Sequence, residues 1–86
     1  MMIGRIVLSK AGRDKGRYFL VTGIFDDRTV YIADGDVRKI ENSKKKKLIH
    51  LSVYGQPDEA LIREAAEASL TNKRIRALLA SHVKLQ

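Results

Sequence analysis

The stretch SKAGRDKGR, residues 9–17, joins two largely apolar runs and decides the fold of the N-terminal part of the chain. The run before it covers residues 3–8, the run after it covers residues 18–22, and both are rich in β-branched or aromatic side chains. This composition favours strands, so the stretch predicts a β-hairpin with a basic turn. Gly12 and Gly16 tolerate a positive φ and let the backbone approach another surface, as a tight ligand-binding turn requires.

The turn carries several cationic side chains and one carboxylate, that of Asp14. Arg13, Lys15 and Arg17 lie within it, and Lys10 lies at its edge. Because an exposed turn of this charge attracts anions, it suggests a phosphate backbone as the ligand. The alternative is an ordinary hairpin turn whose charges are solvated. Asp14 is interpreted as a turn former rather than a catalyst.

Composition limits the chain to one small domain and gives it a basic character. It has 86 residues, with 17 Lys and Arg against 10 Asp and Glu and a formal net charge of +7. Such a charge points to nucleic acid or another anionic surface as the partner. Residues 1–57 contain 12 cationic and 6 acidic residues, whereas residues 58–86 contain 5 and 4. The basic surface is therefore expected in the N-terminal part.

The middle of the chain predicts a third strand over residues 29–33, followed by a turn in which Gly35 takes a left-handed conformation. Residues 37–47 offer only Val37 and Ile40 as apolar anchors. We expect a short strand there, followed by an exposed loop.

Four consecutive lysines, Lys44, Lys45, Lys46 and Lys47, occupy this expected loop. Because like charges repel one another and resist burial, the lysines must face water or an anion. A solvated, mobile loop is one interpretation, and a second RNA-binding loop beside the basic turn is the other. Residues 48–53 then predict a last strand that closes a small barrel.

The C-terminal part changes to helical character. Pro57 suits a first helical position, and a helix is expected from there to about residue 69. Thr71 or Asn72 is expected to cap a second helix, if the two helices are separate. The first helix is expected to carry Leu61, Ala65 and Ala68 at helical spacing, with Ile62 and Ala66 beside them. The second is expected to carry Ile75, Leu78, Leu79, His82 and Leu85 along one side. Residues 57–86 thus form a helical extension of residues 1–56, either packed on the barrel or available to a partner.

The turn also resembles a known sequence motif. An apolar strand, Ser9, the stretch AGRDKGR at residues 11–17 and a second apolar strand resemble the KOW motif of ribosomal proteins and transcription elongation factors. The similarity continues through VYIADG at residues 30–35, Arg38, the lysine run and Leu51. This order is similar to the KOW-containing bacterial relatives of the eukaryotic-type large-subunit ribosomal protein of the fourteen-e kind. The resemblance implies a small SH3-like β-barrel followed by one or two short helices, mainly β overall, and RNA binding by the motif.

Residues expected to bind RNA lie in the turn and in the basic segment further along the chain. Tyr18 and Phe19 point to opposite faces of one strand; Phe19 is assigned to the core, so Tyr18 is a stacking candidate beside the turn. The expected set is Lys10, Gly12, Arg13, Lys15, Gly16, Arg17, Tyr18, Arg38, Lys39, Lys44, Lys45, Lys46 and Lys47.

Catalytic patterns are scarce in this sequence. It has no cysteine, and His50 and His82 lie far apart on different predicted elements. Residues 12–16 lack the Gly-Lys-Ser/Thr ending of a P-loop. We therefore expect neither catalysis, nor a cofactor, nor a metal. The sequence has no apolar run long enough to cross a bilayer and no signal-peptide pattern, so a cytoplasmic protein with no membrane partner is expected.

Two functions are consistent with these features. The first is a non-catalytic protein that binds RNA, with ribosomal RNA or the large ribosomal subunit implied by the resemblance. The second is a protein-interaction module of the transcription or translation machinery, because the nearly neutral tail has an apolar side that a small barrel need not cover.

Overall fold

The computed structural model describes residues 2–54 and 58–84. Five strands come first: β1 (Ile6–Ser9), β2 (Tyr18–Ile24), β3 (Thr29–Ala33), β4 (Lys44–Lys47) and β5 (Leu51–Tyr54). Two helices follow, α1 (Glu59–Ala66) and α2 (Asn72–Lys84). The prediction of a mainly β chain with a helical C-terminal part is confirmed. No helix within the described ranges has the length and apolar character needed to span a membrane.

The strands form one antiparallel sheet in the order β4-β3-β2-β1-β5. The predicted hairpin is confirmed, since β1 pairs with β2 in a register that places Val7 opposite Phe19. Between β2 and β3 the register shifts at Val21 and Gly23. Strand β4 stands at one end of this order and β5 at the other.

Both faces of the sheet are covered by apolar side chains. One face carries a cluster of Val7, Phe19, Val21, Val30, Ile32 and Leu51. The other face carries Leu20 and Ala33, which pack with Leu61, Leu70, Ile75 and Leu79 from the helical part. Because both faces are buried, residues 19–21 are apolar without alternation. The assignment of Phe19 to the core is confirmed, since 3% of its surface is exposed.

The helical part consists of two separate helices. The Asp58 carboxylate accepts a hydrogen bond from the Ala60 N–H at 2.8 Å, and the Thr71 hydroxyl accepts one from the Arg74 N–H at 3.2 Å. These contacts cap α1 and α2, so Thr71 is the residue that caps the second helix.

Helix α1 ends earlier than the expected residue 69. Ala68 has a φ of +55° and is exposed, so it does not lie on the apolar helix face to which it was assigned. The Ser69 N–H donates to the Glu64 carbonyl at 2.8 Å, which closes the helix in the manner of a Schellman motif. Glycine usually holds this left-handed position, so an alanine there gave no stop signal. Pro57 and Leu85 lie outside the described residues.

The segment between β3 and β5 differs most from the expectation. Residues 44–47 form a strand rather than a loop, because their backbone pairs with β3. Short 3-10 helices cover Ile40–Asn42 and Leu48–His50, so the expected last strand begins only at Leu51. Val37 is 68% exposed and does not anchor the segment, whereas Ile40 is half-buried against the helical cluster.

Candidate nucleic-acid interface

The basic turn is a closed backbone structure. The Ser9 N–H donates to the Arg17 carbonyl at 3.0 Å, and the Gly16 N–H donates back to the Ser9 carbonyl at 2.9 Å. Gly12 and Gly16 have φ values of +83° and +87°, which confirms the conformation expected for them. The arginine and lysine side chains of the turn are therefore presented from a fixed backbone.

Asp14 holds the turn from inside and is 8% exposed. Its carboxylate accepts hydrogen bonds from the Ser9 hydroxyl at 2.6 Å, from Lys46 Nζ at 2.9 Å and from Lys44 Nζ at 3.1 Å. Burial by itself raises the pKa of this carboxyl, but the bonds from Ser9, Lys46 and Lys44 outweigh it and bring the pKa well below its usual range. Asp14 is thus a buried, ionised anchor as well as a turn residue.

Lys46 contradicts the expectation that all four lysines are exposed. It is 8% exposed, and its Nζ also donates to the Ala11 carbonyl at 2.8 Å. Because strand side chains alternate, Lys44 and Lys46 point to the turn while Lys45 and Lys47 point to the other face. The anion that Lys46 faces is the Asp14 carboxylate of the same chain, so this lysine holds the turn in position.

A second carboxylate, that of Asp34, shapes the loop after β3. It accepts hydrogen bonds from the N–H groups of Asp36 at 2.9 Å and Arg38 at 2.8 Å. Its other oxygen lies 3.3 Å from the Arg17 guanidinium. Asp34 therefore joins the loop to the basic turn. It binds the Arg38 backbone with one oxygen and the Arg17 side chain with the other.

Four cationic side chains converge on a cleft between the turn, the loop and β4. Its volume is about 190 Å³. We call it the four-cation cleft, and it is lined by Arg13, Arg17, Arg38 and Lys44, with Asp14, Asp34, Phe19 and Val37. The lining has four cations and two carboxylates, so it carries a net positive charge. Pockets for drug-sized ligands occupy roughly 300–1,000 Å³, so this smaller cleft suits a single phosphate group.

Helix α2 contacts the loop that lines the cleft. The Arg76 guanidinium donates to the Gly35 carbonyl at 2.7 Å, and the Asn72 side chain accepts from the Ile40 N–H at 2.8 Å. Gly35 has a φ of +77°, as expected, and a Cβ there would overlap the Asn72 carbonyl oxygen. No sequence pattern indicates this support, because the residues involved are 32 and 41 positions apart.

The remaining residues expected to bind RNA do not line this cleft. Lys10, Lys15 and Lys39 are exposed outside it, as are Lys45 and Lys47. Tyr18 is half-buried, and its ring lies 5.2 Å from His82 and 5.9 Å from Tyr54, centroid to centroid. The structure thus brings together four of the predicted cations and places Tyr18 in a cluster of rings.

Residues 2–54 and 58–84 hold no group of three or more His, Cys, Asp or Glu side chains arranged to bind a metal ion. A scan against protein-family models gives no match to this chain, and a search of curated proteins gives no significant match.

Proposed function

We propose that this chain is a non-catalytic RNA-binding protein that grips an RNA phosphate in the four-cation cleft. The observation that carries the proposal is the convergence of Arg13, Arg17, Arg38 and Lys44 around a space of phosphate size. A solvated hairpin turn, the alternative interpretation, has no reason to gather cations from three separate segments. Their mutual repulsion is offset by Asp14 and Asp34, which leave a net positive charge facing the cleft.

The chemistry of recognition follows from these side chains. Arginine offers a planar pair of donors that matches two oxygens of a phosphate, and lysine offers an adaptable point charge. Phosphate contacts fix the position of a nucleic acid but carry no direct sequence information. The cleft is therefore expected to bind structured RNA by backbone and shape, with little sequence preference of its own.

The resemblance to KOW proteins supplies the finer form of the proposal. We take the sheet to be an SH3-like barrel, which is supported by an apolar cluster that includes Leu51 of β5 together with Val30 and Ile32 of β3. These strands are not neighbours in the sheet, so a curled sheet would bring their side chains to one interior. The proposed target is ribosomal RNA or the large ribosomal subunit, in the cytoplasm.

A protein-interaction module of the transcription or translation machinery is the other function suggested by the sequence. Its basis was an apolar side of the tail left uncovered. Leu61, Leu70, Ile75 and Leu79 are instead buried against Leu20 and Ala33. Their burial favours the RNA-binding proposal.

The direct test is titration of a structured RNA hairpin with the purified chain at increasing salt. Phosphate binding predicts that the log–log slope of affinity against salt concentration is about −1 for each phosphate that the chain neutralises. An affinity that does not fall as salt rises would contradict the proposal.

A second experiment addresses the ribosomal target. Cell extract is sedimented through a gradient, and the chain is expected with the large subunits at low salt and released by a high-salt wash. Migration with free protein at low salt would argue against a ribosomal target while leaving RNA binding itself to the titration.

A further inference from the structure

A second surface lies on the face of β4 that points away from the four-cation cleft. It consists of Phe25, Tyr31 and Lys45, and we call it the aromatic platform. Phe25 is 51% exposed, and its ring meets that of Tyr31 edge to face with centroids 6.0 Å apart. Lys45 Nζ lies 4.0 Å from the centroid of the Phe25 ring.

The sheet fixes the position of the platform. Tyr31 in β3 is paired with Lys45 in β4 on one side and with Gly23 in β2 on the other. A Cβ at Gly23 would lie 3.5 Å from Tyr31 Cδ2, so the tyrosine ring lies over bare backbone. The Phe25 N–H donates to the Thr29 carbonyl at 3.0 Å at the start of the β2–β3 turn. Strand pairing therefore fixes the backbone of Tyr31, and the turn bond fixes the backbone of Phe25.

Exposed aromatic rings beside a cation match the chemistry of nucleobase stacking. A base stacks on the ring face while the cation neutralises a neighbouring phosphate. Stacking of a base on an aromatic ring stabilises more than an exposed cation–π contact does, so a base can displace the flexible lysine from Phe25. The adjacent acids, Asp26 and Asp27, line a different cleft together with Arg28 and Lys47.

We propose that the aromatic platform stacks an unpaired base of the same RNA strand whose phosphate occupies the four-cation cleft. The inference rests on the proposed function. Lys44 and Lys45 are adjacent residues of β4. Lys44 points to the cleft and Lys45 points to the platform, so the two surfaces lie on opposite faces of this strand. Since β4 stands at the end of the strand order, the RNA strand crosses the sheet edge there. Bases in bulges, loops and ends are free to stack in this way, whereas bases within a duplex are not.

Two RNA ligands separate stacking from general charge attraction. One is an unstructured RNA decamer, and the other is the same decamer with abasic sugars, which keeps the phosphates but has no bases. Phe25→Leu is expected to weaken binding of the base-bearing decamer about tenfold and to leave binding of the abasic decamer unchanged. Val53→Leu is the matched control at an exposed apolar position in β5, at the other end of the strand order from β4, and neither affinity should change.

A fluorescence measurement reports stacking directly. The chain has no tryptophan, so Phe25→Trp places a single reporter on the platform. The base-bearing decamer should quench its emission, and the abasic decamer should not. Val53→Trp, with its reporter in β5 at the other end of the strand order, should be quenched by neither decamer.

Failure of this inference differs from failure of the proposed function. If Phe25→Leu binds both decamers as the unsubstituted chain does, and the Phe25→Trp reporter is not quenched, the platform does not stack bases while phosphate binding stands. If the unsubstituted chain binds neither decamer nor a structured hairpin, the proposed function fails and the platform inference fails with it.

Discussion

At the scale of single residues, the basic turn depends on a buried ion pair that faces away from solvent. Asp14 and Lys46 are each 8% exposed, and their charges lie 2.9 Å apart. Removing one partner of a buried pair weakens the compensation of the other charge, which costs more than losing an exposed charge. Consecutive lysines in this chain therefore have different roles, set by the strand face on which each one lies.

Lys46→Met is expected to lower the free energy of unfolding by about 2 kcal/mol, because Asp14 loses a buried charged donor and keeps Lys44 and Ser9. Lys45→Met is the matched control. It should lower the free energy of unfolding by less than about 1 kcal/mol, which is what an exposed cation–π contact contributes. Urea unfolding followed by circular dichroism measures both. Equal losses in the two variants would contradict the burial of Lys46.

The Asp14 carboxylate also predicts the pH dependence of stability. Its pKa is lower in the folded chain than in the unfolded chain, where an aspartate titrates near pH 4. The unfolded chain therefore binds more protons in this range, and stability decreases as the pH falls below about 4. In Asp14→Asn, the decrease in the urea midpoint between pH 5 and pH 2 should be smaller than in the unsubstituted chain. An identical decrease would show that Asp14 has no depressed pKa.

At the scale of elements, the segment after Gly35 shows what sequence patterns can and cannot predict. β2 and β3 were predictable because their apolar, β-branched residues favour strands whatever the rest of the chain does. β4 was not, because four lysines contain no apolar alternation, and the strand exists through its pairing with β3 and through Asp14. The cations of the site were predictable from the sequence. Their arrangement around one cleft was not, because it depends on the contacts of Asp34 with Arg17 and Arg38 and on the packing of α2 against the Gly35 turn.

The contact between the Gly35 turn and α2 is testable by a pair of glycine substitutions. Gly16→Ala should cost about 1–2 kcal/mol of stability, because its φ is positive but no atom lies within 4 Å of the added Cβ. Gly35→Ala should cost more, since its added Cβ also overlaps backbone of α2. Thermal unfolding compares them, and an equal cost would mean that α2 does not pack against this turn.

At the scale of the whole molecule, the sheet and the helices share one apolar cluster. Ile75 is fully buried in it beside Leu20 of β2. A chain ending at residue 56 would expose Leu20 and Ala33, so deleting the tail tests stability before it tests any partner. The helices therefore belong to the structure that holds the cleft in shape.

Ile75→Ala should lower the free energy of unfolding by about 3 kcal/mol, because it leaves a cavity between α2 and the sheet. RNA affinity at a temperature where the variant remains folded should change little, since Ile75 does not line the cleft. Chemical denaturation and RNA titration measure the two effects. A variant as stable as the unsubstituted chain would show that the tail does not pack on the sheet.

A pair of double variants tests whether the four-cation cleft binds the RNA phosphate. Arg13→Gln/Arg38→Gln removes two of its cations and leaves the Arg17–Asp34 and Lys44–Asp14 ion pairs in place. Lys15→Gln/Lys39→Gln is the matched control, since it removes two cations outside the cleft from the same two segments.

The deciding measurement is the salt dependence of the affinity of both double variants and the unsubstituted chain for a structured RNA hairpin. The cleft variant should bind more weakly, and its log–log slope against salt should be shallower by up to about 1, because the cleft neutralises one phosphate. The control variant should keep nearly the original slope. A control variant that loses as much slope and affinity as the cleft variant would contradict the claim.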